Sequence, residues 1–263
     1  MKIIVSAMHR SGINAIGKWL LRQSSLKNKE LYGLYGDWVE YYGDKDWESV
    51  VLEIEYSFIS QINHPEHSKD VWPTFLGRHT VMTIERESAT QAEQFCKDNI
   101  KTKWDHIFVV RSFNNWLASI AKAHITALNK DPNNSILRAY RVHQDVEKYR
   151  TYLDRLKISD NIYDLFSKPD FSPYTIFYDS WVKSAEYRKG ICRDLGLRYT
   201  NCGYRDIPTN GGGSSFDGLE FNGKAHEMNV LERWKEYEND AGFQKALDRY
   251  SDIVEMSDRF CGV

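Results

Sequence analysis

The chain has 263 residues, a length that suits one α/β domain and does not require a second. Hydrophobic residues make up 41%, aromatic residues 14% and charged residues 27%, which is typical of an ordered globular protein. The net charge is -2, from 35 Lys and Arg against 37 Asp and Glu, so no overall positive charge is present to bind a nucleic acid. We therefore expect a single domain over residues 1–263, no nucleic-acid partner, and an anion site only where positive charge is concentrated locally.

The apolar segments are too short for a secretory signal or a membrane helix. The first run ends at His9 and Arg10, and Tyr, Gly and charged residues interrupt the later runs well before the roughly 20 residues that a membrane helix needs. We expect a cytoplasmic protein with no membrane association. The cysteines form no CxxC pair and have no histidine at metal-ligand spacing, so we expect reduced thiols and no metal site. They are Cys96, Cys192, Cys202 and Cys261.

Short apolar strands alternate with amphipathic helices along the chain. Strands are predicted at residues 2–7, 50–54, 79–84, 107–110 and 174–178, and helices at 14–23, 88–100, 114–127, 135–156, 225–237 and 242–256. Residues 29–42 are predicted as loop with short strands, and Ser88 with Gln91 is predicted to form a capping box. This alternation predicts an α/β fold with a central parallel sheet flanked by helices on both faces.

The segment between the first strand and its helix has the composition of an anion-binding loop. It reads SAMHRSGIN at residues 6–14. Such a loop directs backbone N–H groups and the positive end of the helix dipole at one point. Arg10 adds a full charge with two-pronged hydrogen bonding, and Ser11 and Asn14 add neutral donors. The loop lacks the first glycine and the lysine of GxxxxGK[ST], which weakens a kinase interpretation.

A second strand–helix junction carries another arginine. The apolar strand at 107–110 ends at Arg111, and Ser119 follows eight residues later inside the next predicted helix. Arg111 at the carboxyl edge of the sheet and Ser119 about two helical turns further on can both face one anion. The two junctions therefore predict two anion sites at the same edge of the sheet.

An (R/K)SG loop followed by R-x7-S on a later strand–helix junction resembles the sulfotransferase family. The resemblance implies the P-loop NTPase-like architecture of sulfotransferases. It also implies that Arg111 and Ser119 bind the 3′-phosphate of 3′-phosphoadenosine 5′-phosphosulfate (PAPS). The first loop would bind the 5′-phosphosulfate of this co-substrate. The loop residues in this role are Arg10, Ser11, Gly12, Ile13, Asn14 and Ala15.

Two later segments extend the resemblance. The sequence IFYD at 176–179 resembles the family's strand ending in Tyr-(Glu/Asp), which implies that Tyr178 lies near the adenine. The sequence GGGSSF at 211–216 resembles the late Ser-Phe segment, which implies that Ser215 and Phe216 contribute to the nucleotide site, with the Phe216 ring on the base.

The sequence also departs from the family pattern. Ile13 and Asn14 stand where two small hydroxyl residues are usual, and the Arg-Lys-Gly stretch expected after Phe216 is missing. Lys224 and Arg233 are the two candidates for the 3′-phosphate contact that this stretch makes in the family.

The family's chemistry needs a base to remove the proton of the acceptor hydroxyl, and the family uses a His or a Glu. Glu85, directly after the strand at 79–84, is the first candidate and His64 is the second. The other candidates are Glu40, His79 and Glu87. Arg10 would act by electrostatics alone, because a guanidinium stays protonated.

The sequence thus predicts a sulfotransferase that uses PAPS, without a metal, to sulfate an acceptor hydroxyl. A carbohydrate, a small phenol or alcohol, and a peptide tyrosine all remain open as acceptors. One alternative is a P-loop nucleotide-dependent kinase or other phosphotransferase, which would need Mg²⁺ and an acidic ligand at a strand end, where this chain has Arg111. A second alternative is a nucleotide-binding module that has lost its base.

Overall fold

The structure is a computed structural model that describes residues 2–23, 30–35, 38–40, 49–54, 79–85, 88–99, 105–128, 144–151, 153–154, 174–207, 214 and 216–261. Within these residues, seven strands form one sheet: β1 Lys2–Ala7, β2 Glu30–Tyr35, β3 Trp38–Glu40, β4 Ser49–Ile54, β5 His79–Glu85, β6 Asp105–Val110 and β7 Tyr174–Phe177. The helices are α1 Ile13–Gln23, α2 Ala89–Asn99, α3 Phe113–Leu128, α4 Tyr178–Lys183, α5 Ala185–Asp194, α6 Ala241–Arg249 and α7 Ser251–Cys261, with a further helical segment at 144–151. None of these helices is long and apolar enough to cross a membrane.

The sheet is parallel apart from one edge strand. Its strand order is β3-β2-β4-β5-β1-β6-β7, and only the β2–β3 pair is antiparallel. β1 lies inside the sheet, where Ala7 pairs with Glu85 of β5 on one side and with Val109 of β6 on the other. The carboxyl ends of β5, β1 and β6 therefore lie side by side.

The connections diverge between β1 and β6. The chain leaves β1 toward β2 on one side of the sheet, whereas it leaves β6 toward β7 on the other side. This divergence between neighbouring strands opens a crevice at their carboxyl ends, which is where open α/β sheets bind ligands. The two predicted anion-binding junctions, at 8–12 and at Arg111, both lie at this crevice.

Helices cover both faces of the sheet, as the uninterrupted apolar sequence of β6 predicts for a buried parallel strand. Phe108 and Val110 pack into one core cluster with residues of α3, the 144–151 segment, α6 and α7. Ile107 and Val109 pack into a second cluster with residues of α1 and α5. The fold is thus an α/β fold with a largely parallel central sheet between two helical layers.

Most predicted elements are confirmed within a residue or two, and residues 29–42 contain the short strands β2 and β3. The capping box is also confirmed: Ser88 N–H donates to Gln91 Oε1 at 3.1 Å, and Gln91 N–H donates to Ser88 Oγ at 3.2 Å. The helix predicted at 135–156 is described only at residues 144–151 and 153–154. The described cysteines, Cys192, Cys202 and Cys261, are free thiols.

Two helix predictions near the C-terminal end are wrong. Residues 225–237 form only two short 3-10 turns, Ala225–Glu227 and Arg233–Tyr237. Between them the Val230 carbonyl accepts a hydrogen bond from the Arg111 side chain at 2.9 Å, so a tertiary contact replaces a helical one. The helix predicted at 242–256 is divided into α6 and α7 at Tyr250, which has φ -114° and ψ 31° and packs its ring edge-on against Phe113.

We predict that Ser88→Ala lowers the free energy of unfolding by about 1 kcal/mol, because it removes the side-chain acceptor of the capping box. The measurement is urea unfolding followed by circular dichroism. Thr90→Ala, at an exposed position in the first turn of the same helix, is the control and should cost nothing. Equal losses in the two variants would contradict the capping role.

Candidate functional site

A tight turn at the carboxyl edge of the sheet connects β1 to the N-terminus of α1. Arg10 has a φ of 69°, in the left-handed region that favours glycine. Ser11 is 1% exposed, and its N–H donates to the Met8 carbonyl at 3.1 Å, which closes the turn. α1 begins at Ile13, so the N–H groups that follow the turn belong to a helix N-terminus, where an anion is favoured.

Gly12 lies against the end of β7. Its φ is 82°, and a Cβ added to it would overlap the ring of Tyr178. Tyr178 is itself buried and stacks on Trp181 with 5.7 Å between the ring centroids. Glycine is therefore required at position 12 for its backbone conformation and for the close contact with Tyr178.

The remaining residues of the loop contribute in different ways. The Ile13 side chain is buried in the second core cluster and Ala15 packs against that cluster, so the two residues can offer a ligand only their backbone N–H groups. Ser11 Oγ and Asn14 Oδ1 are buried and have no hydrogen-bond partner among the described residues. Buried polar atoms are normally paired, so the loop retains unused hydrogen-bonding capacity.

Arg111 brings its guanidinium to the same loop. Nη1 donates to Ser119 Oγ at 2.8 Å and to the Arg10 carbonyl at 3.2 Å, and Nη2 donates to the Val230 carbonyl at 2.9 Å. The predicted Arg111–Ser119 pair is therefore formed, and it touches the backbone of the first anion-binding loop. The Trp116 indole N–H also donates to the His9 carbonyl at 2.8 Å, which adds a second link between the two junctions.

The charge of Arg111 is buried without a carboxylate partner. The side chain is 3% exposed, and its three hydrogen-bond acceptors are all uncharged. Among the carboxylate side chains that the structure describes, none lies within ion-pair distance of it. Burial lowers the pKa of the Arg111 guanidinium; the Tyr178 phenol opposes this shift, and the Arg233 cation adds to it.

Arg111 also keeps unused donors. A guanidinium has five N–H groups, and three of them are engaged here. Nε is buried without a partner, and one Nη2 hydrogen has none among the described residues. Nε–H and an Nη2–H form one edge of the guanidinium, the kind of edge that binds a phosphate through two parallel hydrogen bonds. A desolvated cation that keeps an unpartnered Nε–H is a candidate ligand for an anion.

Phe216 lies beside a second buried arginine. The Arg233 guanidinium is 4.7 Å from the centroid of the Phe216 ring, and Lys122 Nζ is 5.2 Å from it. Arg233 Nη2 donates to Ser214 Oγ at 2.8 Å and forms a very short ion pair with Asp217. Unlike Arg111, Arg233 therefore has its own carboxylate.

A cleft of about 350 Å³ opens next to the Phe216 ring. Its carboxylates are all ion-paired: Asp217 with Arg233, Glu232 with Lys235, and Glu236 with Lys122. The walls of the cleft are therefore close to neutral and carry one aromatic ring. The lining residues are Phe216, Asp217, Asn229, Glu232, Arg233, Lys235 and Glu236.

The two candidates for the missing Arg-Lys-Gly contact differ in their surroundings. Lys224 is exposed and precedes the 3-10 turn Ala225–Glu227. Arg233 is 9% exposed. Burial lowers the pKa of Arg111, and the Arg233 charge adds to this shift; burial raises the pKa of Tyr178, and the charges of Arg111 and Arg233 oppose that shift. Arg233 is thus the candidate that lies in the electrostatic environment of Arg111. Ser215 lies outside the described residues.

For three of the candidate bases, Glu85, His79 and Glu40, the structure describes the backbone and not the side chain. Glu85 ends β5 opposite Ala7 of β1, at the carboxyl edge that carries the first loop, whereas His79 begins β5 at the opposite edge. Glu40 lies on the edge strand β3, away from β1 in the sheet. The side chain of Glu85 lies outside the described part of the structure, as do His64 and Glu87 entirely.

Sequence reasoning missed the residues that hold the Arg111 junction in place. The Arg111 carbonyl accepts a short hydrogen bond from the Tyr149 hydroxyl, and Ser112 N–H donates to Asp179 Oδ2 at 2.8 Å. Asp179 is the last residue of the IFYD segment at 176–179, just after β7, and this motif together with its place at the carboxyl edge is the signal that could have identified it. Nothing in the local sequence marks Tyr149.

Comparison with known proteins adds no assignment. The chain matches no protein-family model, and no curated protein matches it with significant similarity. The function is therefore inferred from the residues at the crevice and their geometry.

We predict that Gly12→Ala costs about 3 kcal/mol or more of unfolding free energy, since it combines left-handed strain with overlap on the Tyr178 ring. Gly223→Ala is the matched control: its φ is 85° and no atom lies within 4 Å of the added Cβ, so it should cost about 1 kcal/mol. Urea unfolding measures both values. Similar costs would show that the ring contact is unimportant.

Proposed function

We propose that this protein is a sulfotransferase that moves the sulfuryl group of PAPS to an acceptor hydroxyl. The observation that carries the proposal is the Arg111 cation, which is buried at the topological crevice, bonded to Ser119, and without a carboxylate partner among the described residues. A buried charge is unfavourable unless a counter-ion compensates it. In the proposed complex, the 3′-phosphate of the nucleotide is that counter-ion.

The sheet topology supports the P-loop NTPase-like sulfotransferase architecture as part of the same proposal. The first loop leads from a central parallel strand into a helix, and the Arg111 junction follows the neighbouring strand. A nucleotide across this crevice would span both junctions. We propose that the Ser11 hydroxyl and the N–H groups of residues 12–15, at the α1 N-terminus, bind the 5′-phosphosulfate, while Arg111 and Ser119 bind the 3′-phosphate.

The adenine is assigned to the aromatic part of the site. Tyr178 lies under the Arg111 guanidinium, and the distance from Arg111 Cζ to the Tyr178 ring centroid is 5.3 Å. Phe216 borders the cleft whose carboxylates are all ion-paired. A neutral base suits walls whose charges are already compensated, whereas the phosphates suit the uncompensated Arg111 and the helix N-terminus. The charge distribution thus supports one direction of the nucleotide along the crevice.

The chemistry follows from this arrangement. An acceptor oxygen attacks the sulfur in line with the bond to the 5′-phosphate oxygen; that bond breaks, and its electron pair leaves with 3′-phosphoadenosine 5′-phosphate. Arg10 and the α1 N-terminus would stabilise the charge that grows on the departing phosphate. We propose Glu85 as the base that takes the acceptor proton, because its backbone is adjacent to β1 at the carboxyl edge. A carbohydrate or a small molecule remains the proposed acceptor.

We predict that 3′-phosphoadenosine 5′-phosphate binds at least tenfold more tightly than adenosine 5′-phosphate in metal-free calorimetric titrations, since the second phosphate gains charged hydrogen bonds. Arg111→Ala should abolish this preference and leave the affinity for adenosine 5′-phosphate nearly unchanged. Arg198→Ala, at an exposed position, is the control that should keep the preference. Tighter binding of ATP with Mg²⁺ than of the bisphosphate would instead favour the phosphotransferase alternative.

We predict the complementary selectivity for Arg10→Ala, because Arg10 is assigned to the other end of the nucleotide. This variant should bind adenosine 3′-phosphate as the unmodified protein does, and should bind adenosine 5′-phosphate about tenfold more weakly. The same titrations measure both ligands. Equal weakening of the two monophosphates would remove the assignment of Arg10 to the 5′ end.

A further inference from the structure

The peptide group between Arg111 and Ser112 joins β6 to α3, and both of its polar atoms are held by buried side chains from other parts of the fold. Its carbonyl oxygen accepts a short hydrogen bond from the Tyr149 hydroxyl. Its N–H donates to Asp179 Oδ2 at 2.8 Å. One peptide group is therefore fixed from two directions, immediately beside the Arg111 side chain.

The Tyr149 side chain is buried and packs against two aromatic rings. Tyr149 is 1% exposed, and its ring stacks on Trp116 with 5.0 Å between centroids and lies edge-on to Phe113 at 5.4 Å. Burial raises the pKa of the Tyr149 hydroxyl well above its ordinary value, so this group stays protonated and can donate at neutral pH.

Asp179 accepts two hydrogen bonds from Ser112, one from its backbone N–H and one from its hydroxyl. It is 1% exposed, and its second oxygen, Oδ1, accepts from Ser112 Oγ at 2.7 Å. Ser112 Oγ in turn accepts from Asn115 Nδ2 at 3.0 Å. Both carboxylate oxygens are therefore used to fix the start of α3, and neither forms an ion pair with Arg111.

We propose that Tyr149 and Asp179 are positioning residues that fix the direction of the Arg111 guanidinium and thereby set the selectivity for a 3′-phosphate. The proposal rests on the proposed function, because it takes Arg111 as the 3′-phosphate ligand. A bidentate guanidinium–phosphate contact requires correct placement as well as charge, so loosening the backbone beneath Arg111 weakens this contact in particular.

Positioning must be distinguished from a direct effect of the Asp179 charge on Arg111. Burial lowers the pKa of Arg111 and the negative charge of Asp179 opposes this shift, so a charge effect without positioning would make Asp179 a partial counter-ion. Asp179→Asn keeps an oxygen that can accept from Ser112 N–H and removes the charge, whereas Asp179→Ala removes both. A positioning role predicts that only Asp179→Ala has a large effect.

The measured quantity is the ratio of the Kd of adenosine 5′-phosphate to that of 3′-phosphoadenosine 5′-phosphate, from metal-free calorimetry on the full chain. Tyr149→Phe and Asp179→Ala should each lower this ratio about tenfold, the effect of one ordinary hydrogen bond or slightly more. Asp179→Asn should stay within about threefold of the unmodified protein. Tyr237→Phe is the control for tyrosine removal, because Tyr237 is buried in the same core cluster and stacks on Phe243.

Each outcome decides the proposal. A purely structural role would lower the thermal stability of Tyr149→Phe and leave the ratio unchanged, and this result would overturn the proposal. An equal loss in Asp179→Asn and Asp179→Ala would assign Asp179 to charge compensation instead. Tyr149→Phe gives an independent answer if Asp179→Ala does not fold. If the unmodified protein shows no preference for the bisphosphate, the proposed function fails, and the positioning role fails with it.

Discussion

The structure depends on one buried cation at the boundary between two halves of a parallel sheet. Arg111 follows β6 next to β1, where the chain connections diverge, and among the described side chains and backbone groups its guanidinium contacts only uncharged acceptors. Desolvating a guanidinium is costly, and hydrogen bonds to neutral groups compensate only part of that cost. The fold keeps this charge in place through several contacts from distant parts of the chain, and in the proposed complex a bound phosphate compensates the remaining cost.

Those contacts converge from three directions. The loop after β1 supplies the Arg10 carbonyl, α3 supplies Ser119, and the segment between the two 3-10 turns supplies the carbonyl of Val230. Tyr149 and Asp179 fix the peptide group beneath the side chain. The same few residues therefore join both core clusters and place a cation beside the N-terminus of α1, so that stability and the proposed nucleotide recognition share one set of interactions.

The sequence was informative where structure is set locally. Strand β6, helix α1 and the Ser88 capping box follow from residue periodicity and capping chemistry, and the Arg111–Ser119 pair follows from a strand end and two turns of one helix. Contacts between distant segments cannot be predicted from periodicity or capping chemistry. The Arg111–Val230 bond joins residues 119 positions apart, and it is part of the reason why the helix predicted at 225–237 does not form.

The most direct test of this account is a crystal structure of the protein with 3′-phosphoadenosine 5′-phosphate. The account predicts that the 3′-phosphate accepts hydrogen bonds from Arg111 Nε and from the Ser119 hydroxyl, and that the 5′-phosphate lies at the Ser11 hydroxyl and the N–H groups of residues 12–15. A nucleotide bound in the reverse direction, or away from the crevice between β1 and β6, would contradict the account.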